Sequence, residues 1–562
     1  MRTKWLLITV AVVVTLPLVA ACATPTPEVI KEVVTQVVEV EKEVTKIVAG
    51  TPVVEKVVET KVVEKEITKV VKETIVVEKV VTPTPVPMPQ VLRIAAEAEP
   101  RVLDPSAPAE GMGDYVLRTV VGEPLFEYTF DEKMEIQPLL ATDQEWVDET
   151  TLAITLRQGV KFHNGKELTM EDVKYTYERV ADEEVGSRYR SYVAPIKEIE
   201  IVDDYHGLFK VDEPYAPLTT YVLEYIMIVP KGAGDELKTQ PIGTGPFKFK
   251  EWVKGEKAIF VKNEDYWQPG KPKLDEVIWQ FQPEYQTRLT GLRAGDTDIV
   301  YEVQPSDVVY LEKEPGIKIS PNLLLGTFYV GFNVTKAPFD DANMRQAVRY
   351  GIDKQLVLDT GQGGQGATKD IQEPMNSPFY TDKFDYERDF DTVKEYLDKA
   401  GYDGSEVELL VPNTPREGPF GDAVAFSLIE AGINVKETKL PVAEFIDLIF
   451  VKRDYQFMVC GYGSVPDPDY FHYAYFHSGG SNNIFLYNNP TVDQLLEAGR
   501  ATLDDAERQG IYEELFKILM TEDVPVVSLV QSYRPMAVRS YVKGFKWNPL
   551  IRADLRDVSI GE

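Results

Sequence analysis

The chain has 562 residues, 44% of them hydrophobic, and its 91 acidic against 60 basic side chains give a net charge of −31. That length exceeds what one hydrophobic core usually serves, so two or more lobes are expected. The charge argues against nucleic acid as a partner, because its phosphates would be repelled.

Arg2 and Lys4 precede an apolar run from Trp5 to Val19, followed by Ala20, Ala21 and Cys22. A basic start, an apolar stretch short for a membrane span and then small residues predict a secretory signal over 1–22. Cys22 directly after the small residues resembles the bacterial lipobox, which implies acylation of its thiol and a lipid-anchored chain. The alternative is an uncleaved anchor. Both readings place the chain on the outer face of the cytoplasmic membrane, periplasmic or at the cell surface. The only other cysteine is Cys460, so no intrachain disulfide remains once Cys22 carries lipid.

Residues 23–90 form a segment of Val, Glu, Lys and Thr between proline-rich ends. Ile30, Val33, Val37, Val40, Val44 and Ile47 are spaced three and four apart, and the pattern resumes after Gly50-Thr51-Pro52. That spacing predicts a coiled-coil stalk suited to self-association through 28–81. The low complexity and the mediocre helix propensity of valine predict a disordered tether instead.

From Val91 onward the composition is globular. "TLAITLRQGVKF" reads as a strand ending at a Gly turn, and Thr169-Met170-Glu171-Asp172 as a helix start. In "PIGTGPFKFKEW" Pro246 lacks the N–H a phosphate cradle needs, and Phe-Lys-Phe-Lys alternates like a strand. "DDANMRQAVRYGIDKQLVLDTG" reads as one helix capped by Asp340 or Asp341, with Gly361 beyond its end. "DYQFMVCGY" and "VPVVSLV" read as strands around a largely helical 491–520. Helices and strands mixed throughout predict an α/β fold.

"WVDETTLAITLRQGVKFHNGKELTMEDVKYTYERV", the GTGPF segment, "LRAGDTDI", "VGFNVTKAPFDDANMRQAVRYGIDK" and "YFHSGGSNNIFLYNNPTVDQLL" together resemble family 5 extracellular solute-binding proteins. The likeness runs over about 91–550. It implies a two-lobed periplasmic-binding-protein fold of the large type, in which a solute is captured for an ABC permease and its ATPase. The implied first lobe is 91–120 with 238–329 and 526–562. An extra subdomain spans 121–237, the second lobe 330–525, and the crossings lie near 329–333 and 526–530.

The same resemblance suggests where the solute sits. In the peptide-binding branch an Asp four residues before the Pro of the "DP" segment holds the ligand ammonium. Here that position is Ser464, and a hydroxyl offers only a neutral hydrogen bond. Asp467 is the neighbouring substitute, or fixes a turn before Pro468. Tyr462 either stacks on the ligand or packs in its strand. Arg416 lies near the Arg that takes a ligand carboxylate in peptide-binding relatives, or is a solvated loop residue. Backbone atoms near Glu97, Ala98 and Glu99 would form the first cleft loop. An oligopeptide is the first ligand class and an oligosaccharide the second. No cofactor, metal site or catalytic residue is expected. His472 and His477 do not share a helix face as H-E-x-x-H does, and G-x-S-x-G is absent. A surface glycoside hydrolase or a structural surface protein are the readings from other classes.

Overall fold

A computed structural model of the chain describes residues 35–48, 51–64, 89–106, 112–131 and 133–561. Two compact units emerge, 1–86 and 87–562. The signal segment with Cys22, and the rest of 23–90, lie outside the described residues.

In the first unit the described residues form an antiparallel hairpin of Thr35–Val48 with Thr51–Glu64, in register from Thr35 opposite Glu64 to Val48 opposite Thr51. This corrects the sequence expectation: over these residues there is neither a coiled-coil helix nor a disordered tether. The physical reason is composition. Valine and threonine branch at Cβ, which restricts χ1 in a helix and suits the pleated strand, so β-propensity outweighs the heptad spacing. The seam proposed for self-association is therefore not formed there.

Among the described residues the second unit has three sheets of four or more strands. The first, of seven strands, has Val91–Ala96 near its centre, parallel to Glu276–Phe281 on one side and Ile299–Val300 on the other. Phe247–Val253 forms one edge and Ile317–Ser320 the other, next to Met536–Arg539. The second, of six strands, runs Ala367–Thr368, Val526–Tyr533, Leu323–Phe332, Phe457–Tyr462, Val407–Pro412, Val435–Leu440. The third is a four-stranded antiparallel sheet of Ala141–Asp148, Thr151–Leu156, His206–Val211 and Ile196–Ile201, packed on the helix Met170–Ala181. That helix begins as the sequence suggests: the Asp172 carboxylate accepts from the Thr169 N–H at 3.0 Å.

The chain passes from the first sheet to the second between Ser320 and Leu323, and back between Tyr533 and Met536. Both long strands thus belong to the second sheet along their whole length, and the passages fall outside the windows 329–333 and 526–530. Apolarity locates a buried strand but does not say which sheet claims it.

The expected helix over 341–360 is two helices, Ala342–Gly351 and Lys354–Gln362. Ile352 is extended, and Asp353 caps the second helix by accepting from Leu356 N at 2.9 Å. Gly361 lies inside that helix, where a Cβ would meet the Phe420 ring at 2.1 Å. Close packing, not chain termination, requires glycine there.

The GTGPF segment is a turn pinned from every side. Gly245 N–H donates to Val121 O at 2.9 Å, and the Gly243 and Gly245 carbonyls accept from His163 N and Asn263 Nδ2. A Cβ on Gly243 or Gly245 would stand 2.1 or 2.6 Å from the Val121 carbonyl oxygen. The Gly245 N–H, a donor a phosphate cradle would need, is thus taken by the Val121 carbonyl.

Candidate functional site

The two sheet passages, the third sheet's domain and the C-terminal segment meet around a cavity of about 240 Å³. Leu324–Gly326 and Ser532 with Arg534 form its floor at the passages. Arg416 and 461–464 contribute from the six-stranded-sheet side, Tyr225 and Arg188 from the four-stranded domain, and 549–552 from the C-terminal segment. Four arginines and no carboxylate line it among the described residues. In a chain of net charge −31 that is a local inversion of charge.

Arg416 is one of the exposed arginines among these. Its side chain is 47% exposed, and it lies over the Phe328 ring at 5.0 Å. Its polar contacts are long, with Ser532 Oγ at 3.4 Å and Glu417 Oε1 at 3.8 Å. Surrounding protein and then the Arg534 charge push its pKa below the ordinary arginine value, though an arginine remains charged throughout. Arg534 pairs with Glu302 across the sheet passage. Burial works against the Arg534 charge, but the Glu302 carboxylate more than offsets it and holds its pKa up. On the opposite wall Arg552 lies over the Tyr225 ring at 4.7 Å and donates to Glu224 O at 3.2 Å. Burial pushes the Glu224 carboxyl up to about 8, so at neutral pH it is mostly uncharged and does little to offset these cations.

The sequence-predicted residues divide. Arg416, Tyr462 and Ser464 line the cavity. Ser464 is buried, and its hydroxyl reaches only Val465 O, at 3.2 Å. Tyr462 packs beside its strand, one face stacked on Phe471 with centroids 3.6 Å apart and its hydroxyl donating to Gln372 O at 2.7 Å, and it borders the cavity.

Asp467 does not line it. Its carboxylate is fully buried, accepts two hydrogen bonds from Arg508 and caps the helix Pro468–Phe476 through Asp469 N at 2.8 Å. The turn-fixing reading describes it, and as a substitute anchor for an ammonium it is corrected. Glu97, Ala98 and Glu99 also stand away from the cavity lining. Glu97 is exposed, 3.8 Å from Arg288, and Glu99 accepts from Trp252 Nε1 at 2.7 Å and Gly255 N at 3.0 Å. Glu99 thereby ties down a neighbouring hairpin turn.

Sequence reasoning missed Arg534, Tyr225, Tyr470 and the 549–552 segment. Arg534 directly follows an apolar strand that was recognised, and a charge at such a strand end was the available signal. Among the described residues no group of His, Cys, Asp and Glu could hold a metal. His472 is buried, with Nδ1 2.9 Å from Pro468 O.

The profile described as "Bacterial extracellular solute-binding proteins, family 5 Middle" matches residues 135–483. The chain belongs to this family. It is therefore a family 5 solute-binding protein of ABC importers, a carrier and not an enzyme. It is 28% identical over 456 residues to the oligopeptide-binding protein AppA of Bacillus subtilis, covering 75% of this chain and 82% of that one. The solved structure of AgaA from A. tumefaciens R10 in complex with agropinic acid is 28% identical, with a TM-score of 0.70 over 84% of this chain and 99% of that one. The DppA of Helicobacter pylori in complex with the peptide STSA is 26% identical, with a TM-score of 0.72 over 84% and 98%. The family is extracellular or periplasmic, and no helix among the described residues is long and apolar enough to cross a membrane.

Proposed function

We propose that this family 5 protein captures a small solute through an anionic group, a carboxylate held by Arg416 with Arg534 beside it, and delivers it to a membrane permease. The observation that carries this reading is the Arg416 guanidinium, half exposed in the cavity with no carboxylate in hydrogen-bond contact. A planar guanidinium matches a carboxylate bidentately, and the bond is charge-assisted. A peptide C-terminus and an organic acid share that group, which agrees with relatives named for peptides and with the one in complex with agropinic acid. A free ammonium is not the main anchor, because Ser464 supplies a hydroxyl and Asp467 is committed to Arg508. The export signal and Cys22 would hold the carrier at the membrane by lipid.

Calorimetry with N-acetyl-Ala-Ala, Ala-Ala amide and an oligosaccharide tests the reading. The acetylated acid should bind, the amide and the sugar should not. Arg416→Gln should weaken the acid at least tenfold, about 1.4 kcal/mol. Equal binding of acid and amide would overturn it. For the anchor, Cys22→Ala should release the protein from membranes or leave it as precursor, and an unchanged membrane partition would count against lipidation.

A further inference from the structure

The arginines that border the cavity fall into two sets. Arg416 and Arg534 form the first: Arg416 Nη2 donates to Ser532 Oγ at 3.4 Å, and Arg534 follows two residues further along the chain. The second gathers around Tyr225. Arg552 lies over that ring at 4.7 Å and Arg118, beyond the lining, at 4.9 Å. Both donate to Glu224 O, at 3.2 and 3.4 Å. Arg188, exposed and bordering the cavity, lies over the Tyr189 ring at 5.1 Å. Tyr189 packs edge-on against Tyr225 with centroids 6.0 Å apart.

The two sets come from different parts of the chain, yet they border one space. Tyrosine faces and a backbone carbonyl steady a guanidinium without cancelling its charge. The carboxyl beside the second set is Glu224, which burial pushes up to about 8, so it is mostly uncharged at neutral pH. Guanidiniums gathered on one wall favour an anion in the space before them, as the first set does.

We infer that the cavity takes a small solute with two anionic groups, one at Arg416 with Arg534 and the other at Arg188 with Arg552. This rests on the acid-anchoring reading, which places the first carboxylate, and it narrows the ligand class from acid to diacid. At about 240 Å³ the cavity is smaller than the roughly 300–1,000 Å³ that receives drug-sized ligands, which suits a short diacid. A cationic group at the second wall would meet like charge, and a neutral one would forgo the charge-assisted bond.

Calorimetry on the full-length protein compares N-acetylglutamate with N-acetylglutamine, which share the α-carboxylate and nearly the same shape. The glutamate should bind at least tenfold more tightly. Arg188→Gln, at an exposed position, should reduce that preference to less than threefold, whereas Arg416→Gln should weaken both ligands. Equal binding of the two overturns the second anionic position and leaves the acid anchor standing. A tenfold preference that survives Arg188→Gln overturns the assignment to that wall. If neither ligand binds, the diacid falls, and N-acetyl-Ala-Ala, a single acid, decides whether the anchor falls with it. The wild-type comparison is decisive alone if Arg188→Gln fails to fold.

Discussion

Arg508 holds Asp467 by two parallel hydrogen bonds, Nη1 to Oδ2 at 2.8 Å and Nη2 to Oδ1 at 3.0 Å, with both side chains at 0% exposure. The pair fastens the helix Asp505–Lys517 to the loop that leads from Ser464 into the helix Pro468–Phe476. A carboxylate three residues from the cavity-lining Ser464 of a binding protein invites a ligand role. Here its geometry assigns it to the scaffold that positions Ser464 and Tyr470.

Removing one partner of a buried pair strands the other, which costs about 3–5 kcal/mol. Asp467→Asn should therefore lower the melting temperature sharply, while Arg416→Gln should leave it nearly unchanged. Burial raises the Asp467 pKa, but the Arg508 charge and hydrogen bonds outweigh it and hold the carboxyl below its ordinary value. A depressed carboxyl stabilises above its unfolded pKa and loses that contribution as pH falls through its folded pKa. Denaturant titrations should show the parent losing stability below about pH 4, with a shallower loss in Asp467→Asn.

Glu224 titrates with the opposite sign. It is fully buried, neither carboxyl oxygen has a hydrogen-bond partner in another residue, and burial raises it to about 8. A group whose folded pKa is raised stabilises fully below its unfolded pKa of 4.5 and loses that contribution as pH rises towards 8. The loss is on the order of a few kcal/mol. Glu224→Gln should flatten the dependence of unfolding free energy on pH between 5 and 8. A parent no less stable at pH 8 than at pH 5, with a variant of identical slope, would contradict the assignment.

Gly243 and Gly245 close the turn against the Val121 carbonyl. Gly243→Ala and Gly245→Ala both force a contact far inside van der Waals distance with backbone, which has little room to yield. Each should destabilise by at least about 1–3 kcal/mol, read from the urea midpoint. A neutral outcome at either site would show that the turn shifts more freely than its hydrogen bonds imply.

What the sequence made legible follows from range. Local signals worked: the Thr169–Asp172 start, the alternation in Thr151–Leu156 and the apolar Val526–Tyr533 each depend on neighbours along the chain. The 342–362 helix pair was read as one because the apolar spacing continues through Ile352 while the backbone does not. The hairpin was missed because the heptad spacing of the valines was weighed above the β-propensity of Val and Thr. The cavity was legible only in part. Arg416 and Tyr462 sit on recognisable segments, whereas Arg534 meets Glu302 from 232 residues away. No local pattern encodes that meeting. Glu97 and Glu99, placed by likeness, lie outside the lining of this cavity.

The cavity wall is also a contact between bodies. Tyr470, from the six-stranded-sheet side, packs edge-on against Tyr192 and Tyr221 of the four-stranded domain, with centroids 5.7 and 5.9 Å apart. Beside it the Tyr221 hydroxyl donates to Asp469 Oδ2 at 3.3 Å, Arg500 holds Asp469 at 2.8 and 3.0 Å, and Ala216 N–H donates to Arg500 O at 2.9 Å. Lobes that rotate about a few passage residues must make and break such a contact. Tyr192 does not line the cavity, so Tyr192→Ala probes the contact without touching the solute. Each edge-to-face pair is worth about 0.5–1.5 kcal/mol beyond its burial. Loss of the Tyr192–Tyr470 pair should shift the resting population towards the open form and weaken N-acetyl-Ala-Ala by roughly 2- to 10-fold. Small-angle scattering should then give a larger radius of gyration for the unliganded variant than for the parent, and saturating ligand should bring the two together. An unchanged radius with unchanged affinity would mean that this contact persists in the open form and that the lobes pivot elsewhere.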